Sequence, residues 1–130
     1  MTFYQKEILR IRKLCYSNEQ QIQTVIHTRN YLDNNFEKEL NLDFLSHVCY
    51  TSKFHLLRLF KKYYGQTPKQ YLTDIRIERS KEYLKKGMNI SATCYSVGHE
   101  SPCSFSTLFK NKTGLTPTEF QKRAIFTRPA

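Results

Sequence analysis

The sequence predicts an all-α fold in which two similar helical units are joined by a long helix. Three observations carry this. Apolar residues recur at three and four positions, not at two, along the whole chain. The stretch SKFHLLRLFKKYYGQTPKQY at 52–71 is written again as SPCSFSTLFKNKTGLTPTEF at 101–120. Both copies break at the same place, on a glycine that Thr-Pro follows after one intervening residue.

Elements follow in order. Ile22, Val25, Ile26, Leu32 and Phe36 form an apolar stripe over a helix from about 20 to 36, and the polar EKELN ends it. Asn41 is a good N-cap for a short helix with Leu42, Leu45 and Cys49 inward. The next helix begins at Ser52, with Leu56, Leu59, Phe60 and Tyr63 at i, i+3, i+4 and i+7 on its buried face. Gly65 ends it, as the residue best able to take positive φ. Thr67 can cap and Pro68 suits a first helical position, while Gln70 can complete a capping box. A long helix then runs to about Gly87, with Tyr71, Leu72, Ile75, Tyr83 and Leu84 for packing, and spans roughly 30 Å.

The pattern then restarts. Asn89 caps a short helix with Ile90, Cys94 and Val97 inward, and Gly98 turns the chain. Ser101 and Pro102 open a helix that buries Phe105, Leu108 and Phe109. Gly114, Thr116, Pro117 and Glu119 repeat the stop, cap and restart of Gly65, Thr67, Pro68 and Gln70. Ser52 and Ser101, like Leu59 and Leu108, lie 49 positions apart, whereas Leu42 and Ile90 lie 48 apart. One extra residue therefore sits in the second turn.

Composition limits what such a repeat can do. A chain of 130 residues holds one ordinary domain or two very small ones sharing a core, and 39% hydrophobic residues suffice for packing. A net charge of +10 favours an anionic partner, nucleic acid before membrane. No apolar run approaches the roughly 20 residues that cross a bilayer. Charges interrupt the apolar stretch of MTFYQKEILRIRKLCYS, unlike a signal-peptide core, so the expected location is the cytoplasm. Cys15, Cys49, Cys94 and Cys103 lie far apart without a C-x-x-C, and the four histidines make no ligand pair beside them. Reduced, mostly buried thiols are expected, with no metal, no cofactor and no catalytic constellation.

Helical arrays normally need three or more repeats, and this chain has two. The expected fold is therefore two helix-turn-helix subdomains joined by a long linker helix. In that motif a short helix crosses the DNA backbone and the next enters the major groove. Successive major grooves on one face lie about 34 Å apart, close to the length of the linker, so one monomer can read two of them. The expected organisation is an N-terminal extension of open role at 1–20 and a first subdomain at 21–66. The linker helix at 67–87, the second subdomain at 88–125 and a tail at 126–130 follow.

S-x-x-x-L-x-R-x-F-K-K at Ser52–Lys62, G-x-T-P-x-x-Y at Gly65–Tyr71 and RIERSKEYL in the linker belong to an ordered set of motifs. V-G-H at 97–99 and F-K-x-x-x-G-x-T-P-x-x-F at 109–120 complete it. Over residues 22–123 the chain resembles the DNA-binding domain of the AraC/XylS family of bacterial transcription regulators. The resemblance implies sequence-specific binding of double-stranded DNA by both units, and commonly activation through contact with RNA polymerase. In family members that stop after this domain, it implies a monomer on an asymmetric site with no ligand sensed.

Carried over residue by residue, the resemblance assigns base reading in the first unit to Lys53, Phe54, Leu57 and Arg58, which the periodicity also leaves outside. Arg58 can grip guanine O6 and N7, while Phe54 and Leu57 can press on thymine methyls. The plain alternatives are a phosphate contact or solvated charge for Arg58 and apolar cover for the other two. The equivalent surface of the second unit is Pro102, Cys103, Ser106 and Thr107. There Thr107 stands where the family has Arg, His99 where it has Phe, and Thr93-Cys94 replaces an apolar-Ala pair, so weaker reading is expected. Phosphate contacts are expected from the helix starts at Ser52 and Ser101 and from Lys61, Lys62, Arg76 and Lys110. Tyr50 falls where Gly or Asn takes positive φ more cheaply.

Two other readings share these features. An RNA-binding module would carry the same charge, yet the chain lacks RNP-like aromatic strands and a GXXG loop. A protein-interaction module would turn Phe54 and Leu57 to a protein. Residues 1–20, with Phe3, Ile8, Leu9, Ile11 and Leu14, fit a packing helix, a dimer contact or the attachment of a sensor domain.

Overall fold

The computed structural model describes residues 2–126, with the side chains at 12–17 and 126 outside that description. Expectations for Leu14, Cys15 and the tail at 126–130 fall on residues not fully described. Among the described residues all regular structure is helical: α1 (Phe3–Asn34), α2 (Leu42–Val48), α3 (Lys53–Tyr64), α4 (Pro68–Lys85), α5 (Ile90–Ser96), α6 (Pro102–Thr113) and α7 (Pro117–Phe126). The chain forms two compact units. One comprises α1 as far as Leu32 with Asn41–Pro68, the other Asp33–Leu40 with the chain from Lys69 onward.

In the first unit Val25, Leu32, Leu45, Leu56, Leu59 and Phe60 are buried. Thr28 is buried with them because its hydroxyl donates to the Thr24 carbonyl at 2.8 Å and meets Cys49 Sγ at 3.1 Å, leaving no unpaired polar group. Asn41 Oδ1 accepts from Phe44 N at 2.7 Å and Ser52 Oγ from His55 N at 3.2 Å, capping α2 and α3 as expected. Gly65 ends α3 at φ 72.

Four expectations change here. Ile22 is exposed, and Phe36 leaves the stripe because α1 stops at Asn34. Tyr63 turns outward, its hydroxyl 3.3 Å from Gln21 Oε1. Residues 3–20 continue α1 backwards, and from Thr2 to Ile11 none of the side chains is buried.

The second unit is built around Ile77, Leu84, Cys94, Val97, Phe105 and Phe109, with Phe36, Tyr83, Ile90, Leu108 and Phe120 at its edge. Phe105 and Phe109 lie 5.8 Å apart, and Phe120 meets Phe109 edge-on at 5.5 Å. Helix α4 has 18 residues, about 27 Å at 1.5 Å each, and its Ile77 and Leu84 are part of this core. Ile77 and Ser80 are buried although RIERSKEYL reads as polar; Ser80 satisfies its hydroxyl on the Ile77 carbonyl at 2.7 Å. Gln121 Nε2 donates to the carbonyls of Leu84 and Met88 at 3.1 and 2.7 Å, which fastens α7 to the end of α4.

Candidate nucleic-acid interface

Helix α3 turns the four residues expected to read bases in the first unit away from its core. Lys53, Phe54 and Arg58 are exposed and Leu57 is half-buried. Phe54 keeps 69% of its surface in solvent, which burial alone would not choose for a phenylalanine. Lys53 Nζ lies 3.4 Å from Asp43 Oδ1 and 5.5 Å from the Phe54 ring, so it is held over the start of the helix. Arg58 makes no ion pair or hydrogen bond with the described residues, leaving its fork of donors open. Lys61 and Lys62 extend the charge into the last turn, Lys62 over the Tyr63 ring at 5.3 Å. Ser52 Oγ caps α3 as an acceptor, so an anion there would meet its O–H as well as backbone N–H groups.

Helix α6 presents a different surface. Cys103 and Thr107 are exposed, Pro102 and Ser106 half-buried. Thr107 Oγ1 donates to the Cys103 carbonyl at 3.2 Å, so its proton is held within the helix. Ser101 makes no side-chain cap and Pro102 supplies no N–H. Lys110 is exposed, and Lys112 pairs with Asp74 at 3.2 Å. The counterpart of Lys62 is Asn111, which with Cys103, Ser104, Thr107 and Leu108 lines an open depression. Asn111 carries an amide suited to adenine and was not singled out from sequence, because the pairing of copies pointed to charge.

Arg76, expected against phosphates, faces inward instead. Its Nε donates to the Phe36 carbonyl and its Nη2 to the Lys38 carbonyl, both at 2.8 Å. Burial lowers its pKa, opposed by the charge of Glu37. It ties the segment after α1 to α4. Beside it the His99 ring lies tilted against Phe105 at 5.2 Å, and its buried Nε2 finds no partner among the described residues. Burial and the positive charge of Arg76 hold that imidazole below its ordinary value. Cys94 is buried, Cys49 half-buried and Cys103 exposed, all three as free thiols. Burial raises the Cys94 thiol.

Both turns put a residue at positive φ. Tyr50 has φ 52 and Gly98 has φ 90. Tyr50 N donates to the His47 carbonyl at 3.3 Å and Thr51 N to that of Ser46 at 3.1 Å. Gly98 N and His99 N repeat this on Tyr95 and Cys94 at 3.1 and 3.0 Å.

Comparison with known proteins agrees with this construction. A family model described as a helix-turn-helix domain matches residues 45–123. The bifunctional transcriptional activator/DNA repair enzyme AdaA of Bacillus subtilis is 39% identical over 95 residues, covering 71% of this chain and 44% of that protein. The transcriptional activator RhaS of Mannheimia succiniciproducens is 34% identical over 92 residues, 70% of this chain and 34% of that one. The chain thus spans about half the length of such relatives, or less. Among solved structures, the C-terminal domain of AraT, a response regulator from Geobacillus stearothermophilus, superposes with TM-score 0.75 at 27% identity, over 77% of this chain and 84% of that one. The DNA-binding domain of AdpA, solved with a target DNA, shares the fold at TM-score 0.77 and 18% identity, over 81% of this chain and 96% of that one.

Proposed function

The chain belongs to the AraC-type helix-turn-helix family, and from that premise we propose that it is a sequence-specific, double-stranded DNA-binding transcription regulator and an activator. The observation that carries this reading is the exposed face of α3. It sets Arg58, without a partner among the described residues, beside solvent-facing Phe54, with Lys61 and Lys62 one turn on.

Helix α3 lies in a major groove, where Arg58 donates to guanine O6 and N7 and Phe54 and Leu57 cover thymine methyls. Lys61, Lys62, Lys110 and the backbone N–H groups after Ser52 and Ser101 hold phosphates, fixing register without choosing sequence. Helix α6 lies in the adjacent groove and reads weakly, since Thr107 replaces a guanidinium and its hydroxyl is turned to the Cys103 carbonyl. The protein works in the cytoplasm without catalysis of its own and activates by touching RNA polymerase. The exposed Phe3, Tyr4, Leu9 and Ile11 on α1 are the contact for a second copy or a sensor domain.

Selection of bound duplexes from a random pool, followed by shift assays at two salt concentrations, tests the reading. A defined site is expected, with affinity falling steeply as salt rises. Tighter binding of structured RNA than of any selected duplex would overturn it.

A further inference from the structure

Tyr50 stands apart from the rest of the first unit. It holds a left-handed backbone at φ 52, the sole non-glycine residue at positive φ among those described. Its side chain is 96% exposed. A residue in this conformation costs stability relative to glycine, and such strain normally persists where packing repays it or where function needs the side chain. Here packing repays nothing. The groove that Tyr50 edges, between α1 and α3, is lined by Gln21, Thr24, Thr51 and His55, and the ring stands out of it into solvent.

The second copy shows what the turn itself requires. Gly98 makes the same pair of backbone hydrogen bonds at the same place with no side chain at all. The turn therefore forms without a phenol. Tyr50 lies two residues before Ser52, where the reading helix starts, and four before the exposed Phe54. An aromatic ring with a hydroxyl tip, next to a helix bearing Lys53 and Arg58, is suited to the sugar-phosphate backbone that borders a groove.

We propose that Tyr50 is a DNA-contact residue of the first unit, its hydroxyl donating to a phosphate oxygen beside the groove that α3 enters. This rests on the reading of the chain as DNA-binding. The contact adds affinity without neutralising a charge, so it changes the salt dependence little, unlike a lysine contact.

The test uses the full chain, a duplex selected by the wild type, and the variants Tyr50→Gly and Tyr50→Phe. Tyr50→Gly is expected to raise the melting temperature by a few degrees while weakening duplex binding about tenfold. Tyr50→Phe keeps the backbone strain and the ring; it should leave melting unchanged and lose most of the same affinity, with an unaltered salt slope. A purely structural residue would move stability and binding together. If the wild type selects a duplex and both variants bind it equally well, Tyr50 faces a different partner or none, and only this inference falls. If the wild type selects no duplex at all, the DNA-binding reading falls with it.

Discussion

The two turns carry the same backbone path in unlike surroundings. A Cβ added at Gly98 would lie 2.8 Å from the Glu37 carbonyl oxygen and 3.1 Å from Arg76 Nη2. At Tyr50 the equivalent position carries a full phenol that remains in solvent. The second turn is shut in by the segment after α1, which Arg76 fastens down, so its residue is dictated by space as well as by φ. The first turn is open and sets only the conformational requirement. The helices that follow differ in the same sense. KFHLLRLFKKYY presents a guanidinium and three lysines, whereas PCSFSTLFKNKT offers neutral groups over most of its outward face. The second unit's turn is fixed by the fold; the first unit's leaves room for recognition.

The largest expected effect breaks or keeps that contrast directly. Gly98→Ala forces a Cβ against backbone at a φ that alanine resists. Strain alone should cost about 1–3 kcal/mol, with the contact at Glu37 added. Tyr50→Ala, at a similar φ in open space, should change unfolding free energy by less than about 0.5 kcal/mol. Urea unfolding of both variants measures this, and equal losses would erase the distinction between a closed and an open turn.

Next in size is the contrast between reading helices. Arg58→Ala should lower affinity for a selected duplex by about 1–3 kcal/mol and relax choice at one base pair. Thr107→Ala, which removes a hydroxyl already turned to its own helix, should cost well under that. Lys61→Ala should weaken all duplexes alike and reduce the salt slope by about one. Shift assays on the selected site and on single-base variants separate the three, and equal specificity losses for Arg58 and Thr107 would mean both units read alike.

How much of this was written in the sequence follows from which signals are local. Caps at Asn41, Ser52 and Asn89, the glycine stop at Gly65 and the positive φ near Tyr50 depend on a few neighbouring residues, and all of them form. The outward face of α3 was legible because it is what the core spacing leaves over. Long-range placements were not. Arg76 reads as one more surface cation until Asp33–Leu40 is seen against α4. Ile77 and Ser80 are buried because α4 carries the second unit's core, whereas within RIERSKEYL the spacing marks only Tyr83 and Leu84 for packing. Tyr63 sits at the right spacing for burial yet meets Gln21 of α1 through its hydroxyl, a partner 42 residues away.

The smallest expected effect concerns His99, which completes the closed turn. Burial and Arg76 both keep its imidazole below the ordinary value of about 6.5, and its Nε2 is buried without a partner among the described residues to receive a second proton. As acid is added, the unfolded chain takes up that proton before the folded one does. The stabilising contribution is therefore complete above pH of about 6.5 and declines as pH falls through the lower folded value. The closed second turn should weaken as pH falls below about 6.5, while the open first turn has Thr51 where His99 stands and no buried imidazole among the described residues. His99→Phe keeps a ring against Phe105, 5.2 Å away, and has nothing to protonate. Thermal melts of wild type and His99→Phe across that range should converge at neutral pH and separate in acid, the variant staying higher. Parallel curves would place the acid sensitivity elsewhere and leave the two turns distinguished by space alone.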